Sequence, residues 1–381
     1  MKYYLVAGEA SGDLHASHLM HALREYDSDA SFRCIGGDMM QVQQATLVRH
    51  YRELAYMGIV PVLTHLPKIM RGMRECRRDV LDWNPDALIL VDYPGFNLSL
   101  GKYIKRKAPH IKIFYYISPK IWAWKEWRIR DIRLSVDRLF SILPFEVDYF
   151  RRRHQYDIDY VGNPTRDEVQ LYENSYPASF SRFIEENALP CKPVIAILAG
   201  SRRQEIKDNL SRMLRAAAPF SDRYQLVVAG APGIDRAFYY DITRHHFSVR
   251  VLYGQTYRLL QHSTAALVTS GTATLETALF RVPQVVCYYL NFGKLFSFLR
   301  RRMIKVPYIS LVNLIADKEV VPELVADEMT VERVRQQLAA ILPDGPSRAP
   351  MLEGYEEVMR RLGEPGAPLR AAERMIALLR E

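Results

Sequence analysis

The sequence has no long apolar run, no paired cysteines and no leader-like start. No stretch reaches the roughly 20 apolar residues of a membrane span. The first apolar run ends in a turn at Gly8, as a core strand does, and does not resemble a signal peptide. The four cysteines are scattered, without the spacing of a zinc or redox site. These absences predict a protein that stays in the cytoplasm and carries ordinary thiols.

The composition excludes disorder, because 49% of the residues are hydrophobic and 25% are charged. At 381 residues the chain is long enough for two domains of about 150–200 residues each. The formal net charge of +9 indicates an anionic partner. Nucleic acid, anionic lipid and phosphorylated small molecules all fit that description, and the charge alone does not separate them.

Short apolar segments alternate with segments of helical periodicity, such as Leu14–Tyr26, Lys207–Ala218 and Thr272–Phe280. The apolar segments are rich in Val, Ile, Leu and Tyr with little polar alternation, which is typical of strands buried on both faces of a parallel sheet. The candidate strands are Tyr3–Ala7, Ala87–Val91, Ile113–Ile117, Arg138–Ile142, Val194–Leu198, Tyr224–Ala229, Val249–Leu252, Ala265–Thr269 and Gln284–Tyr289. This alternation predicts doubly wound α/β sheets that bind ligands at the carboxyl ends of their strands.

The alternation restarts near Val194, after a polar stretch that contains several prolines. We expect a first Rossmann-like domain over residues 1–165 and a second over residues 166–350. Residues 351–381 form a helical segment interrupted by Gly and Pro at 363–368. This segment is expected to pack on the first domain or on a partner chain.

Two strand ends in the first half carry candidate site residues. Gly8–Asp13 follows a strand and opens a helix, so it is either an anion-binding loop or a plain turn in which Ser11 or Asp13 caps the helix. Asp92 follows a strongly apolar strand. There it is either a base with a raised pKa or a turn-forming residue before Pro94.

Two further strand-to-helix junctions lie in the second half. Gly200, Ser201 and Arg202 open a helix whose dipole, amides and guanidinium suit a diphosphate. A capped turn with solvated arginines is the alternative. Gly271 and Thr272 open another helix, and Glu276, one turn later, could accept both hydroxyls of a ribose. Together the two junctions favour phosphate and ribose binding.

Aromatic and basic residues cluster in three other segments. The loop 118–125 contains Trp122 and Trp124, which suit a sugar face or an acyl chain unless they are core residues. Residues 58–80 combine apolar groups with Arg71, Arg74, Arg77 and Arg78, and residues 296–305 have a similar mixture. Each is either a membrane-docking helix or a buried amphipathic helix with a solvated basic face.

Seven motifs occur in an order that resembles the lipid-A-disaccharide synthase family of Gram-negative bacteria. They are Gly-Glu-Ala-Ser-Gly-Asp at 8–13, Asp-Tyr-Pro-Gly-Phe-Asn at 92–97, Ser-Pro-Lys-Ile-Trp-Ala-Trp at 118–124, Leu-Pro-Phe-Glu at 143–146, Gly-Ser-Arg at 200–202, Ser-Gly-Thr-Ala-Thr-Leu-Glu at 270–276 and Tyr-Ile-Ser-Leu-Val-Asn-Leu-Ile at 308–315. The resemblance implies a GT-B fold, with two Rossmann-like doubly wound domains and a crevice between them.

The resemblance also implies the reaction. A 2,3-diacylglucosamine would pass from its UDP carrier to 2,3-diacylglucosamine 1-phosphate, with inversion at the anomeric carbon and release of UDP. Inversion requires one in-line attack and one base. Asp92 matches the family's essential aspartate, Arg202 a required arginine, and Glu276 and Asn313 residues on the donor side. No Asp-x-Asp motif is placed to hold a diphosphate, so we expect neither a metal nor another cofactor.

The partners implied are two acylated sugars and the cytoplasmic face of the inner membrane, with peripheral attachment. Family members can exchange carboxyl-terminal segments in a homodimer. A nucleic-acid partner is not expected, since no recognition helix or aromatic-sheet motif is visible. The alternative is a UDP-N-acetylglucosamine 2-epimerase, or another GT-B transferase, that acts on a soluble sugar.

Overall fold

The computed structural model describes residues 1–53, 66–177, 179–245, 249–289 and 307–381, with the backbone alone for 66–69. These residues form two compact units. Unit 1 comprises Met1–Pro164 together with Glu364–Glu381, and unit 2 comprises Thr165–Gly363. The chain therefore leaves unit 1 once and returns to it for its last 18 residues.

In the described part of unit 1, seven parallel strands form one sheet in the order β3-β2-β1-β4-β5-β6-β7. The strands are β1 (Lys2–Ala7), β2 (Ser31–Gly36), β3 (Thr46–His50), β4 (Ala87–Val91), β5 (Lys112–Tyr116), β6 (Arg138–Ser141) and β7 (Asp159–Tyr160). Alternate residues of β1 enter two cores, because Tyr3 and Leu5 pack on one face of the sheet and Tyr4 and Val6 on the other. Burial on both faces explains the unbroken apolar runs.

Helices cover both faces of this sheet. They are α1 (Ala10–Tyr26), α2 (Asp38–Val42), α3 (Leu66–Trp83), α4 (Pro94–Lys107), α5 (Ile129–Ser135), α6 (Pro144–His154) and the last helix of the chain, α16 (Ala367–Arg380), with short 3₁₀ turns at Tyr51–Glu53 and Glu126–Arg128.

The described part of unit 2 repeats the architecture with six parallel strands in the order β10-β9-β8-β11-β12-β13. The strands are β8 (Val194–Leu198), β9 (Gln225–Gly230), β10 (Val249–Tyr253), β11 (Ser263–Thr269), β12 (Gln284–Tyr288) and β13 (Glu323–Val325). The helices are α7 (Pro164–Ser175), α8 (Phe180–Glu186), α9 (Arg203–Ala217), α10 (Arg236–Thr243), α11 (Thr256–Gln261), α12 (Thr272–Leu279), α13 (Leu311–Ala316), α14 (Val331–Ile341) and α15 (Arg348–Leu362), with 3₁₀ turns at Ala218–Phe220 and Ala326–Glu328.

The strand order reverses direction once in each sheet. In unit 1 the reversal lies between β1 and β4, where Ala7 pairs with Val91. In unit 2 it lies between β8 and β11, where Leu198 pairs with Val268. Chain connections on either side of such a point run in opposite directions, which leaves an opening beyond the carboxyl ends of the two strands. All four strand-to-helix junctions singled out in the sequence follow one of these four strands.

The last helix, α16, packs on α1 within unit 1, where Ala371, Ala372, Met375 and Ile376 enter the same core as Leu19 and Leu23 of α1. Arg370 fixes its start, because the guanidinium donates to the carbonyl of Val161 at 2.8 Å and to that of Pro365 at 2.9 Å. Arg374 pairs with Asp159 at 3.4 Å. The end of the chain is thus part of the first core.

All nine predicted strands are present, with ends that shift by at most two residues. Four strands were not predicted, namely β2, β3, β7 and β13. Two of these, β7 and β13, are only two and three residues long. β3 has no buried residue, and β2 begins with an exposed and a half-buried position around Phe32, so neither sequence has the continuous apolar signal.

No described helix is long and apolar enough to cross a membrane. The apolar residues 58–65 and the cluster 296–305, both interpreted above as docking segments, lie outside the described residues.

Candidate functional site

Asp92 occupies a strained turn directly after β4. Asp92 and Tyr93 both have left-handed backbones, at φ values of +44° and +47°. Such conformations cost non-glycine residues about 1–3 kcal/mol each and persist where neighbouring contacts enforce them. Asn97 Nδ2 donates to the Asp92 carbonyl at 2.7 Å, and the Tyr115 hydroxyl donates to the same oxygen at 2.5 Å. Two buried side chains therefore hold the turn and set the position of the aspartate.

The loop after β1 lies against the turn at Asp92 and Tyr93. A Cβ added to Gly8 would lie 2.3 Å from the ring of Tyr93, so only glycine admits the tyrosine at this place. The space above Gly8 is thus taken by a side chain of the same unit.

Asp13 does not cap its own helix, contrary to one of the two interpretations of this loop. Its carboxylate accepts from the backbone amides of Gly37 at 2.7 Å, Met39 at 3.0 Å and Met40 at 3.2 Å. It therefore caps α2, on the neighbouring connection, and joins two strand-to-helix turns of the sheet.

The Asp92 carboxyl lies among several charges. Burial raises its pKa above the usual aspartate value, and the negative charge of Glu9 raises it further. The ammonium of Lys120, a hydrogen bond from the Tyr93 amide and His15 oppose this increase in pKa. A carboxyl with a raised pKa is a stronger base once ionised, which suits the removal of a proton from a hydroxyl.

Glu146 is a second carboxyl of this neighbourhood, and it is not among the site residues predicted from the sequence. It is 1% exposed, and burial raises its pKa to about 7. The indole Nε1 of Trp122 donates to Oε1 at 2.7 Å, and the Ser141 hydroxyl donates to Oε2. Asp92 and Lys120 both act on it electrostatically. Glu146 therefore fixes the loop after β5 beside Asp92.

In unit 2, Gly200, Ser201 and Arg202 form the turn from β8 into α9. Gly200 has a φ of +116°, which strains any other residue. The Glu205 carboxylate accepts from the amides of Ser201 at 3.2 Å and Arg202 at 3.4 Å, and it pairs with the Arg202 guanidinium at 3.2 Å. The helix terminus expected to bind an anion thus binds a carboxylate of its own first turn.

Gly271 and Thr272 are exposed at the start of α12, and Glu276 lies one turn further along. Burial raises the pKa of Glu276 to about 7, with a smaller contribution from the charge of Glu168. The Tyr257 hydroxyl donates to Glu168 at 3.4 Å. Glu276, Glu168 and Tyr257 therefore form one cluster of ionisable groups beside α12.

Asn313 is completely buried in α13, and its amide is saturated by protein groups. Its Oδ1 accepts from the amides of Val320 at 2.7 Å and Val321 at 2.9 Å. Its Nδ2 donates to the Val321 carbonyl and to Glu323, both at 2.9 Å. These bonds hold the segment 320–323, which follows α13, and Glu323 connects Asn313 to the turn before α13.

The turn before α13 is hydrogen-bonded to the loop that contains Gly271. Glu323 accepts from the amides of Ile309 and Ser310, each at 2.9 Å. The Ile309 carbonyl accepts from the Ser270 hydroxyl at 3.1 Å. The structure therefore brings Asn313 and Gly271 into one hydrogen-bonded network, adjacent along the sheet to Gly200–Arg202, whereas Asp92 belongs to unit 1.

The residues that sequence reasoning missed are charged partners of the predicted ones. They are Glu9, Lys120 and Glu146 around Asp92, and Glu168 and Glu205 in unit 2. Glu9, Lys120 and Glu146 lie within motifs that carry the family resemblance, at 8–13, 118–124 and 143–146, and this is the signal that could have directed attention to them.

Replacing Glu146 with Gln should change how stability depends on pH. The folded pKa of about 7 lies above the ordinary value of 4.5, so folding favours the protonated form. The contribution of Glu146 to the free energy of unfolding is therefore fully present below pH 4.5, where the carboxyl is protonated in both states. This contribution is lost as the pH rises through 7. Relative to Glu146→Gln, wild-type stability should fall by about 2–3 kcal/mol between pH 5 and pH 8. Thermal unfolding of both proteins across this range measures the difference.

Glu25→Gln, on the exposed face of α1, is the matched control and should leave the pH dependence of the wild type unchanged. Parallel pH profiles for wild type and Glu146→Gln would show that Glu146 ionises as easily in the folded state as in the unfolded chain.

Comparison with known proteins identifies the family of this chain. The family model described as lipid-A-disaccharide synthetase matches residues 3–366. Lipid-A-disaccharide synthase from Myxococcus xanthus is 39% identical, with 98% of this chain and 97% of the relative covered. The enzyme of the same name from Nitrosococcus oceani is 35% identical, with 98% and 95% covered.

Among solved structures, a putative UDP-N-acetylglucosamine 2-epimerase from Listeria monocytogenes superposes with a TM-score of 0.68 at 12% identity. The superposition covers 100% of this chain and 95% of the Listeria chain. That similarity concerns the fold alone, which is the expected GT-B class with two Rossmann-like units. The family match, over nearly the whole chain, favours the synthase over the epimerase alternative. This chain belongs to the lipid-A-disaccharide synthase family, whose members are glycosyltransferases of lipid A biosynthesis.

Proposed function

We propose that this chain transfers 2,3-diacylglucosamine from UDP to the 6-hydroxyl of 2,3-diacylglucosamine 1-phosphate, with inversion of the anomeric carbon. The observation that carries the proposal is Asp92, held in a strained turn at the switch point of a parallel sheet with a raised pKa. Its carboxylate takes the proton of the acceptor hydroxyl as that oxygen attacks the sugar, and UDP leaves.

The donor-binding residues of the proposal lie at the switch point of unit 2. They are Gly200, Ser201, Arg202, Gly271, Thr272, Glu276 and Asn313. Arg202 offsets the charge that develops on the leaving diphosphate, with the amides of the two helix starts beside it. Glu276 accepts from the ribose hydroxyls. Asn313 acts through the turn that it supports and through Ser270.

Diphosphate binding at α9 requires Glu205 to leave the amides of Ser201 and Arg202. The carboxylate holds the place that an anionic ligand takes, as one anion can substitute for another at a helix start. Arg202, which pairs with Glu205 here, is then available to the diphosphate.

The acylated substrates require contact with a bilayer, and α3 supports a peripheral docking face. Met70, Arg71, Arg74 and Arg78 are exposed along it. Arg77 differs from these arginines, because its guanidinium stacks 4.5 Å from the Tyr103 ring. We further propose that this face attaches the protein to the cytoplasmic side of the inner membrane. Homodimerisation remains a proposal from the family resemblance.

Asp92→Asn keeps the size of the side chain but removes its basicity. The transfer rate should fall by about 10²–10⁴-fold, the usual contribution of a general base. Donor binding, measured by calorimetry with UDP, should be unchanged. Product formation is followed by mass spectrometry with both acylated substrates.

Two other variants sharpen this test. Glu9→Gln removes a charge that raises the pKa of Asp92, so the acidic limb of the rate profile should move to lower pH with turnover retained. Asp148→Asn, on the exposed side of α6, should behave as wild type. More than about a tenth of wild-type turnover in Asp92→Asn would remove Asp92 from the role of base.

Arg202→Ala should weaken UDP binding by about 10–100-fold and slow turnover, because a charge-assisted hydrogen bond to the diphosphate is lost. Arg203→Ala is the control, since Arg203 pairs with Asp235 at 3.0 Å and stacks on Phe238. Its UDP affinity should stay close to that of the wild type. EDTA should not change the turnover of either protein. Loss of activity in EDTA that magnesium restores would contradict the metal-free mechanism.

Replacing Arg71, Arg74 and Arg78 with Ser should release the protein from anionic vesicles. Each basic residue near such a surface contributes about 1 kcal/mol, and salt screens this attraction. Cosedimentation with phosphatidylglycerol vesicles at low and high salt measures it. Arg77 is kept, because its stacking supports the fold.

Replacing Arg223, Arg244 and Arg250 with Ser removes the same charge from exposed positions of unit 2 and serves as the control. Equal vesicle binding by the two triple variants would place the docking face elsewhere.

A further inference from the structure

The loop between β5 and α5 has a buried anchor and an exposed end. The chain bends at Ile117, a β-branched residue with a φ of +69°, and continues to Trp122, which is 8% exposed. Trp122 is held by its hydrogen bond to Glu146 and by edge contact with Phe145, at 5.1 Å between ring centroids. The anchor therefore fixes the position from which the exposed end departs.

The exposed end is the segment Trp124–Arg128, which we call the aromatic-basic loop. Trp124 is 59% exposed and Trp127 is 60% exposed. Lys125 has a left-handed backbone at a φ of +56°. Two large indoles within four residues leave much apolar surface in contact with water, which is unfavourable and is typical of a binding surface.

Two cations lie on these indoles. The Lys125 ammonium is 4.2 Å from the centre of the Trp124 ring, and the Arg128 guanidinium is 5.7 Å from Trp124 and 5.9 Å from Trp127. These distances are those of cation–π contacts, which orient a cation and leave its hydrogen-bond donors available.

The carboxylates nearest in sequence are used by other cations. Glu126 pairs with Arg153 at 2.9 Å, and Asp131 pairs with Lys102 at 2.8 Å. Within the described ranges, neither Lys125 nor Arg128 forms an ion pair with a carboxylate at 4 Å or less. Asp131 and Asp92 act on the Arg128 charge only from a greater distance. The aromatic-basic loop thus presents two cations that no carboxylate of the described ranges contacts directly.

This loop lies in the electrostatic environment of the proposed base. The charges of Arg128 and Lys120 both act on Asp92. The acceptor carries its reactive 6-hydroxyl and its 1-phosphate on one hexose ring. A phosphate site for that acceptor must therefore lie about one sugar ring away from Asp92, on a cationic surface.

We propose that the aromatic-basic loop is the acceptor subsite, which binds the phosphomonoester of a hexose 1-phosphate. Lys125 and Arg128 contact the phosphate, and an indole packs on the apolar C–H face of the sugar. The inference rests on the proposed function, since it names the group of the acceptor that this unit recognises.

The test compares Lys125→Ala/Arg128→Ala with wild type on two acceptors, one with and one without the 1-phosphate. The KM for the phosphorylated acceptor should rise about 10–100-fold, as expected from the loss of charge-assisted hydrogen bonds. The KM for the dephosphorylated acceptor should change less than threefold, and kcat and UDP affinity should be retained. Lys107→Ala/Arg130→Ala removes two exposed charges of unit 1 outside the loop and should leave both KM values unchanged.

A binding experiment is independent of turnover. Glucosamine 1-phosphate should protect the tryptophan fluorescence of the wild type from acrylamide, and glucosamine should not. Trp124→Phe/Trp127→Phe should abolish the protection. Protection without any disaccharide product would reject the proposed function and retain the sugar phosphate site.

Other outcomes overturn the subsite. If the Lys125/Arg128 variant loses both acceptors equally and no longer cosediments with phosphatidylglycerol vesicles, the loop contacts the membrane instead. If its KM for the phosphorylated acceptor stays at the wild-type value while product still forms, the phosphate is bound elsewhere.

Discussion

The reversal of strand order in each parallel sheet is the constraint on which the functional part of this chain depends. Parallel strands end at one edge of their sheet, and only where the order reverses do the connections diverge and leave that edge open. In unit 1 this point carries Gly8 and Asp92, and in unit 2 it carries Gly200 and Gly271.

Placement at an open edge is not sufficient, because the proposed base also needs a defined position. At Asp92 this comes from a backbone that is locally unfavourable and is held by buried hydrogen bonds from Asn97 and Tyr115. The ring of Tyr93 over Gly8 joins this turn to the preceding connection. Strain at Asp92 and Tyr93 is therefore offset by contacts from other chain segments, which is typical of a functional turn.

Carboxyl groups in this protein behave differently according to their surroundings. Asp13 accepts three backbone amides and joins two turns. Glu146 is fully buried and Glu276 is half-buried, and desolvation raises the pKa of each to about 7. Glu205 accepts two amides at the helix start that is proposed to bind the diphosphate. Asp13 thus caps a helix, Glu146 supports a loop, and Glu205 occupies the proposed diphosphate position. Burial and hydrogen-bond partners decide whether each carboxyl is protonated and which groups it contacts.

The sequence by itself determined the fold class, the long central strands and the positions of Asp92 and Arg202, because these depend on local patterns. Continuous apolar runs followed by small or polar residues identify buried parallel strands and their carboxyl ends. The short strands β7 and β13, and the pairing of α16 with α1, have no such local signal. Only the tertiary structure decided which charges surround each site residue. Trp122 and Glu146 are 24 residues apart, as are Asp13 and Gly37, and no sequence period relates such pairs. They meet because neighbouring strands of the sheet bring their loops to the same edge.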